Sequence, residues 1–261
     1  MAILSYEITG VSQPNERSTT GAENGHIAAV LKGDHQVASA QLYSELAANR
    51  LAMFLGIPVL VGVPARRPSD GANLRFAALR VAEAGLDIYD FTEEDRFEDD
   101  DEVLTLPTGV YRNTGHVNAM AALCEKYPLE AAAIAVFDLW IGNEDRALNF
   151  KGQIRGDERG VIFALDQGSS LLSCLSTIDK SLAQLADPLY PSFHPFQKLV
   201  NARLCGAIVE RVQSMPDWAI EAATVYQDTV GNVMLPEQYQ CYEALRQRKA
   251  FLGNLVDRVL F

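Results

Sequence analysis

Two acidic segments near the middle of the chain have the make-up of a phosphoryl-transfer centre. The first is Trp140-Ile141-Gly142-Asn143-Glu144-Asp145-Arg146-Ala147-Leu148-Asn149, and the second, one hairpin later, is Ala164-Leu165-Asp166-Gln167-Gly168. Each sets an Asp beside a turn-forming residue at the edge of an apolar run. An Asp followed closely by an Asn, then a second Asp before a glycine, supplies the parts that γ-phosphoryl transfer from ATP requires. Asp145 would face the acceptor hydroxyl, while Asn149 and Asp166 would hold Mg²⁺. Mg²⁺ keeps octahedral geometry and takes one or two carboxylates plus substrate phosphates, so hard oxygen ligands in this number suit it. Either segment alone reads more readily as an ordinary β-hairpin with Asp and Asn in its turns. Their order and separation favour the phosphotransfer reading.

The residues upstream could complete such a centre. Lys32 ends an apolar strand and can reach toward phosphates, and Glu45 follows within the first amphipathic helix. A Lys on a strand paired to a Glu on the next helix fixes the ammonium where it binds the α- and β-phosphates; unpaired, both would be ordinary surface residues. Gly21 and Gly25, with the Ser18, Thr19 and Thr20 hydroxyls, could let backbone N–H groups approach the phosphates, although a plain hairpin turn fits the same residues. No GxxxxGK[ST] loop is present.

The elements that must position these groups follow from hydrophobic periodicity and breakers. His26 to Lys32 reads as a short buried strand closed by Gly33. Ser39 to Leu55 reads as a helix stopped by Gly56 and Pro58. Pro58 to Pro64 and Leu74 to Val81 read as strands. The acidic, irregular stretch 90–115 reads as the junction between two lobes, with its run Glu93 to Glu102 as a solvated loop. Leu129 to Ile141 is alanine-rich and predicts a buried helix delivering the chain into the Asp145 turn. Asn149 to Ile154 and Gly160 to Leu165 predict a hairpin, and the remainder from about residue 178 predicts helices. Gln240 to Val259 reads as one amphipathic helix, and Trp140 and Trp218 read as core. Strands early and helices late predict an α+β chain.

Lys32, the helix Ser44-Glu45-Leu46-Ala47-Ala48-Asn49-Arg50-Leu51 running to Leu55-Gly56-Ile57-Pro58, the Asp145 turn and Leu165-Asp166-Gln167-Gly168 together resemble the HipA-like kinases. These belong to the phosphatidylinositol-kinase-like branch of the protein-kinase superfamily. The resemblance covers roughly residues 20–170 and is most specific at the Asp145 turn. It implies a bilobal kinase-like fold, with a β-rich N-terminal lobe over residues 1–105 and a mainly helical catalytic lobe over 106–261, and ATP and Mg²⁺ in the cleft. By the same resemblance Lys32 would bind phosphates, Glu45 would orient it, Asp145 would be the catalytic carboxylate, and Asn149 and Asp166 the metal ligands. The acceptor implied is a protein Ser/Thr hydroxyl, with a lipid or small-molecule hydroxyl as the alternative. Two departures stand out. Ala147 occupies the position where the family usually has His, and Asn149 comes one residue sooner after Asp145 than usual, so Asn143 becomes an alternative ligand. They leave open a pseudokinase that binds nucleotide as a regulatory protein.

Bulk properties bound these readings. The formal charge of −12 repels nucleic-acid phosphates, so no nucleic-acid partner is expected. No run approaches the ~20 apolar residues of a membrane span, so no membrane partner is expected. The four cysteines are scattered without a CxxC pair and no secretory signal is visible, which fits a cytoplasmic protein. The four histidines show no HxH or HExxH spacing, and neither a GxSxG elbow nor a GxGxxG fingerprint occurs.

Overall fold

The computed structural model describes residues 4–14, 22–67, 69, 73–83, 86, 88–90, 114–156 and 160–261. Their architecture is α+β, with three small antiparallel sheets among the described residues, helices between the strands and only helices after β8. Strands β1 (Ile8–Pro14) and β2 (Glu23–Ile27) form a hairpin. Strands β3 (Ala29–Lys32), β4 (Gly62–Ala65) and β5 (Arg75–Leu79) form a second sheet with β5 in the centre. Strands β6 (Ile88–Asp90), β7 (Phe150–Gln153) and β8 (Ile162–Ala164) form the third, with β7 in the centre. Among the described residues no helix is long and apolar enough to cross a membrane.

Helix α1 (Gln41–Leu55) follows β3 and is buried on nearly every side, leaving Arg50, Met53 and Phe54 exposed. Its N-cap residue Ala40 offers no side chain to the orphan N–H groups of the first turn. Asp34 supplies that acceptor from the preceding loop, taking Leu42 N–H at 2.8 Å. Gly56 closes the helix at φ +66, the left-handed cap that glycine adopts without Cβ strain. The same helix is held from the C-terminal part of the chain. Tyr43 donates its hydroxyl to Thr224 O at 2.9 Å, and Arg211 donates to Leu55 O at 3.1 Å.

Helices α2 (Thr114–Lys126) and α3 (Pro128–Ile141) precede β7. Pro128 at the first turn needs no N–H partner and presets φ, and from Ala131 to Ile141 α3 is buried all round, as an apolar helix must be. It forms the axis of the core. Helices α5 (Ala202–Gln213), α7 (Leu235–Arg248) and α8 (Leu252–Leu260) pack on it, while α4 (Ile178–Ala186) and α6 (Asp217–Thr224) pack on α7. Arg248, fully buried, donates to Leu139 O at 2.9 Å and Leu185 O at 2.6 Å, and also to Tyr190 O, tying the ends of α3 and α4 together. Burial pushes its pKa down to about 10.

The structure corrects four expectations. The stretch 26–32 is broken at Ala28, and β3 is exposed rather than buried, because it lies at the sheet's rim while α1 packs against β4 and β5. The strand expected over 58–64 starts only at Gly62, since Pro58 O and Leu60 N are committed to Ala164 of β8, at 2.8 and 3.1 Å. The helix expected over 240–259 divides at Lys249–Phe251 into α7 and α8, and the turn brings Leu255, Val256 and Val259 onto the core. Trp140 is core, donating its indole N–H to Leu245 O at 3.1 Å, but Trp218 is 65% exposed, edge-on to Phe54. The expected junction over 90–115 lies almost entirely outside the described residues.

Candidate active site

Lys32 is the last residue of β3, opposite Phe76 of β5, and Glu45 lies in the second turn of α1. The Lys32 ammonium donates to Glu45 Oε1 at 2.5 Å and pairs with Asp166 Oδ2 at 2.8 Å. The other Glu45 oxygen accepts Gln167 N–H at 3.2 Å. Strand, helix and the turn after β8 therefore meet at one buried carboxylate. Glu45 is 1% exposed and Lys32 18%, so this is no screened surface pair.

The two acidic segments are brought together by strand pairing. Phe150 at the start of β7 pairs with Ala164 at the end of β8, and Leu165 N–H continues the ladder to Asn149 O at 2.8 Å. That register sets Asp166 beside the turn that carries Asp145 and Asn149. Asp166 sits at φ +43, and its Oδ1 accepts Gly168 N–H at 3.2 Å. A Cβ on Gly168 would lie 2.8 Å from the Gln41 side chain and 3.1 Å from Asp166 Oδ1, so glycine is needed for this close turn. Across it, Ser169 donates its hydroxyl to Asp145 Oδ2 at 3.4 Å.

Beneath the turn lies a buried ion network. Arg146 Nε contacts Asp138 Oδ2 at 2.6 Å and Nη2 contacts Oδ1 at 2.8 Å, both side chains being fully buried. Its Nη1 donates to Leu165 O at 2.5 Å and also to Asn149 O, so one guanidinium clasps both acidic segments. His194 completes the network. Its Nδ1 accepts Phe196 N–H at 3.1 Å, which leaves the proton on Nε2, directed at Asp138 Oδ2 at 3.3 Å. Asn143, also buried, donates to Asp138 Oδ1 at 3.0 Å and accepts Asp145 N–H at 3.0 Å. It shapes the turn, with its amide committed to Asp138 and to the Asp145 N–H.

Each charge state has a cause. Burial opposes the charge on Lys32, but Glu45 and Asp166 outweigh it and hold its pKa above the ordinary lysine value. Burial raises Glu45 to about 7, Lys32 opposing and Asp166 adding to the rise. Burial likewise disfavours ionised Asp166, yet Lys32 prevails and holds its pKa low. Burial and the neighbouring Asp166 raise Asp145, against the pull of Arg146. Burial disfavours the charge on Asp138, but Arg146 and then His194 hold its pKa low. Burial drives His194 down, keeping it neutral despite Asp138.

A pH effect follows for Glu45. Its folded pKa is raised, so between about 4.5 and 7 the native state binds more protons than the unfolded chain, and stability falls as pH rises through that window. Wild type relative to Glu45→Gln should lose roughly 3 kcal/mol across it, at 1.36 kcal/mol per unit. Urea unfolding at a series of pH values measures this, and parallel stability curves for the two proteins would contradict it.

Lys32, Glu45 and Asp166 are thus in mutual contact, with Asp145 and Asn149 on the adjoining turn. The phosphate-binding glycines do not follow the expectation. Gly25 lies inside β2, paired with Val11, rather than in a turn, because the hairpin extends through it without needing a positive φ. Gly21 lies outside the described residues, as do Ser18, Thr19 and Thr20. Sequence reasoning missed Asp138, His194 and Ser169. The available signal for Asp138 was a lone charge in the otherwise apolar run Ala131 to Ile141.

The donor set suits Mg²⁺ held jointly with a nucleotide. Asp166 offers one carboxylate, which also meets Lys32, and Asn149 an amide oxygen, its Nδ2 being given to Asp145 O at 2.6 Å. Among the described residues no group of three or more His, Cys, Asp or Glu could hold a metal alone. Two protein ligands completed by phosphate oxygens is the arrangement Mg²⁺ favours in phosphotransfer sites. Comparison with protein-family models and with curated proteins finds no match for the chain.

Proposed function

We propose that the chain is an ATP-dependent phosphotransferase of HipA-like kinase type, using Mg²⁺ and acting on a protein Ser/Thr hydroxyl. The observation that carries this reading is the closed contact of Lys32, Glu45 and Asp166, three residues from three elements, beside the Asp145 turn. In the proposed arrangement residues 1–105 form the nucleotide-binding lobe and 106–261 the catalytic and helical lobe, in a bilobal kinase-like fold.

The roles follow from chemistry. An ammonium has three donors; two of Lys32's serve Glu45 and Asp166, and the third serves an α- or β-phosphate oxygen. Glu45 fixes the ammonium's direction. Asp166 and Asn149 hold the metal, which when bound with the nucleotide neutralises charge developing on the transferred phosphoryl group. Asp145 orients the acceptor hydroxyl and takes its proton, a task helped by a pKa raised toward working pH. Transfer is in line, and catalysis lies in positioning and charge neutralisation rather than in covalent chemistry.

A second reading, a nucleotide-binding regulator without transfer, is favoured by Asn149, whose amide is committed to Asp145 O in a turn one residue short. Thermal-shift titration with Mg-ATP beside a labelled γ-phosphate transfer assay separates the two. Binding with transfer supports the enzyme, binding without transfer supports the regulator, and neither signal contradicts both. With only two protein ligands, Mg²⁺ alone should produce no shift at concentrations where Mg-ATP saturates. A shift with Mg²⁺ alone would contradict the shared-ligand site.

A further inference from the structure

The hydroxyl that Asp145 meets in this structure belongs to the chain itself. Ser169 donates to Asp145 Oδ2 at 3.4 Å, longer than the roughly 2.6–3.2 Å a general base requires, as such contacts often are before substrate closes the site. The Asp166–Gly168 turn, in which Gly168 N–H is held by Asp166 Oδ1, leads directly into Ser169. The adjacent serine provides the contrast. Ser170 is fully buried and gives its hydroxyl to Gln167 O at 2.6 Å.

We infer that Ser169 is an internal phosphoryl acceptor, modified in cis by the same molecule; the inference rests on the phosphotransferase reading above. The Ser169 oxygen bonds to the γ-phosphorus of ATP as the bond from that phosphorus to the β–γ bridging oxygen breaks. The hydroxyl proton passes to Asp145 Oδ2, and ADP leaves carrying the bridging oxygen. The product is phosphoserine with a charge of about −1.5 to −2. It stands beside the carboxylates of Asp145 and Asp166 and repels the next nucleotide, so the modification limits itself to one phosphate per chain.

The test uses the full chain, first freed of phosphate with a phosphatase, then incubated with Mg-ATP and followed by intact mass and peptide mapping. One added phosphate is expected on Ser169 and none on Ser170, at a first-order rate unchanged by dilution of the protein. Asp145→Asn should slow the modification about 10²-fold or more. A readout independent of transfer uses Ser169→Cys. Iodoacetamide labelling of its thiol should slow about tenfold with a non-hydrolysable Mg-ATP analogue at ten times its Kd. Three results overturn the assignment of Ser169 while leaving the phosphotransferase reading intact, provided an added peptide is still phosphorylated: phosphate mapped elsewhere, a rate proportional to protein concentration, or a thiol unprotected by bound analogue. No nucleotide binding and no transfer to any acceptor overturns both.

Discussion

Asp145→Asn is expected to lower the turnover of γ-phosphoryl transfer by about 10²–10⁴-fold, the range for losing a positioned general base, with little change in the affinity for Mg-ATP. Asp145 keeps its side chain open to solvent at the mouth of the site, and Asn is isosteric with it, so the variant should fold as wild type. Asp166→Asn is expected to fail earlier, at nucleotide binding. It removes the single carboxylate that the proposed site would offer a metal, and half of the cage around Lys32. Losing metal-assisted charge stabilisation costs several kcal/mol, at least about a thousandfold in rate. The two variants thus separate chemistry from binding. Equal losses of turnover and affinity in both would contradict the assigned roles, and wild-type turnover in either would contradict the site.

The second large effect lies beneath the turn. Arg146→Met leaves Asp138 as a buried charge without its cation, hydrogen-bonded only to His194 and Asn143, for which a loss of about 3–5 kcal/mol of stability is expected. Pairing it with Asp138→Leu removes the charge as well, and stability should recover in part, since buried ion pairs replaced by apolar groups are often neutral while the buried His194 and Asn143 donors lose their acceptor. Activity should not recover. Arg146 also holds Leu165 O and Asn149 O, and no apolar side chain can replace those bonds between the two acidic segments. Urea unfolding and transfer kinetics on the two single variants and the double variant form the required cycle. Restored activity in the double variant would reduce Arg146 to a stability residue.

What could be read from the sequence was whatever depends on local period and on chemistry carried by few residues. Helix α1 and helix α3 were legible because their apolar spacing, Gly56 and Gly142 act within a few residues. So was the β7–β8 hairpin, and with it the neighbourhood of Asn149 and Asp166, since antiparallel pairing fixes which residues stand opposite. The pairing of Lys32 with Glu45 was legible as order along the chain rather than as geometry. Illegible were the features decided by distant partners. The exposure of β3 depends on which sheet edge α1 covers, and the place of Trp218 on where α6 lies against α1. His194 looked like a stray histidine because it lies in the loop between α4 and α5 and its partner Asp138 is fifty-six residues away, on α3. The Gly25 expectation failed because two glycines near hydroxyls describe a strand as well as a phosphate-binding turn.

The nucleotide complex tests the central claim most directly: a crystal structure of the full chain with Mg²⁺ and a non-hydrolysable ATP analogue. The metal should be held by Asp166 and Asn149 together with phosphate oxygens. Lys32 should contact an α- or β-phosphate while keeping Glu45, and the γ-phosphate should face Asp145. A nucleotide bound elsewhere, or one bound with Lys32, Asp145 and Asp166 all outside its contacts, would contradict the account.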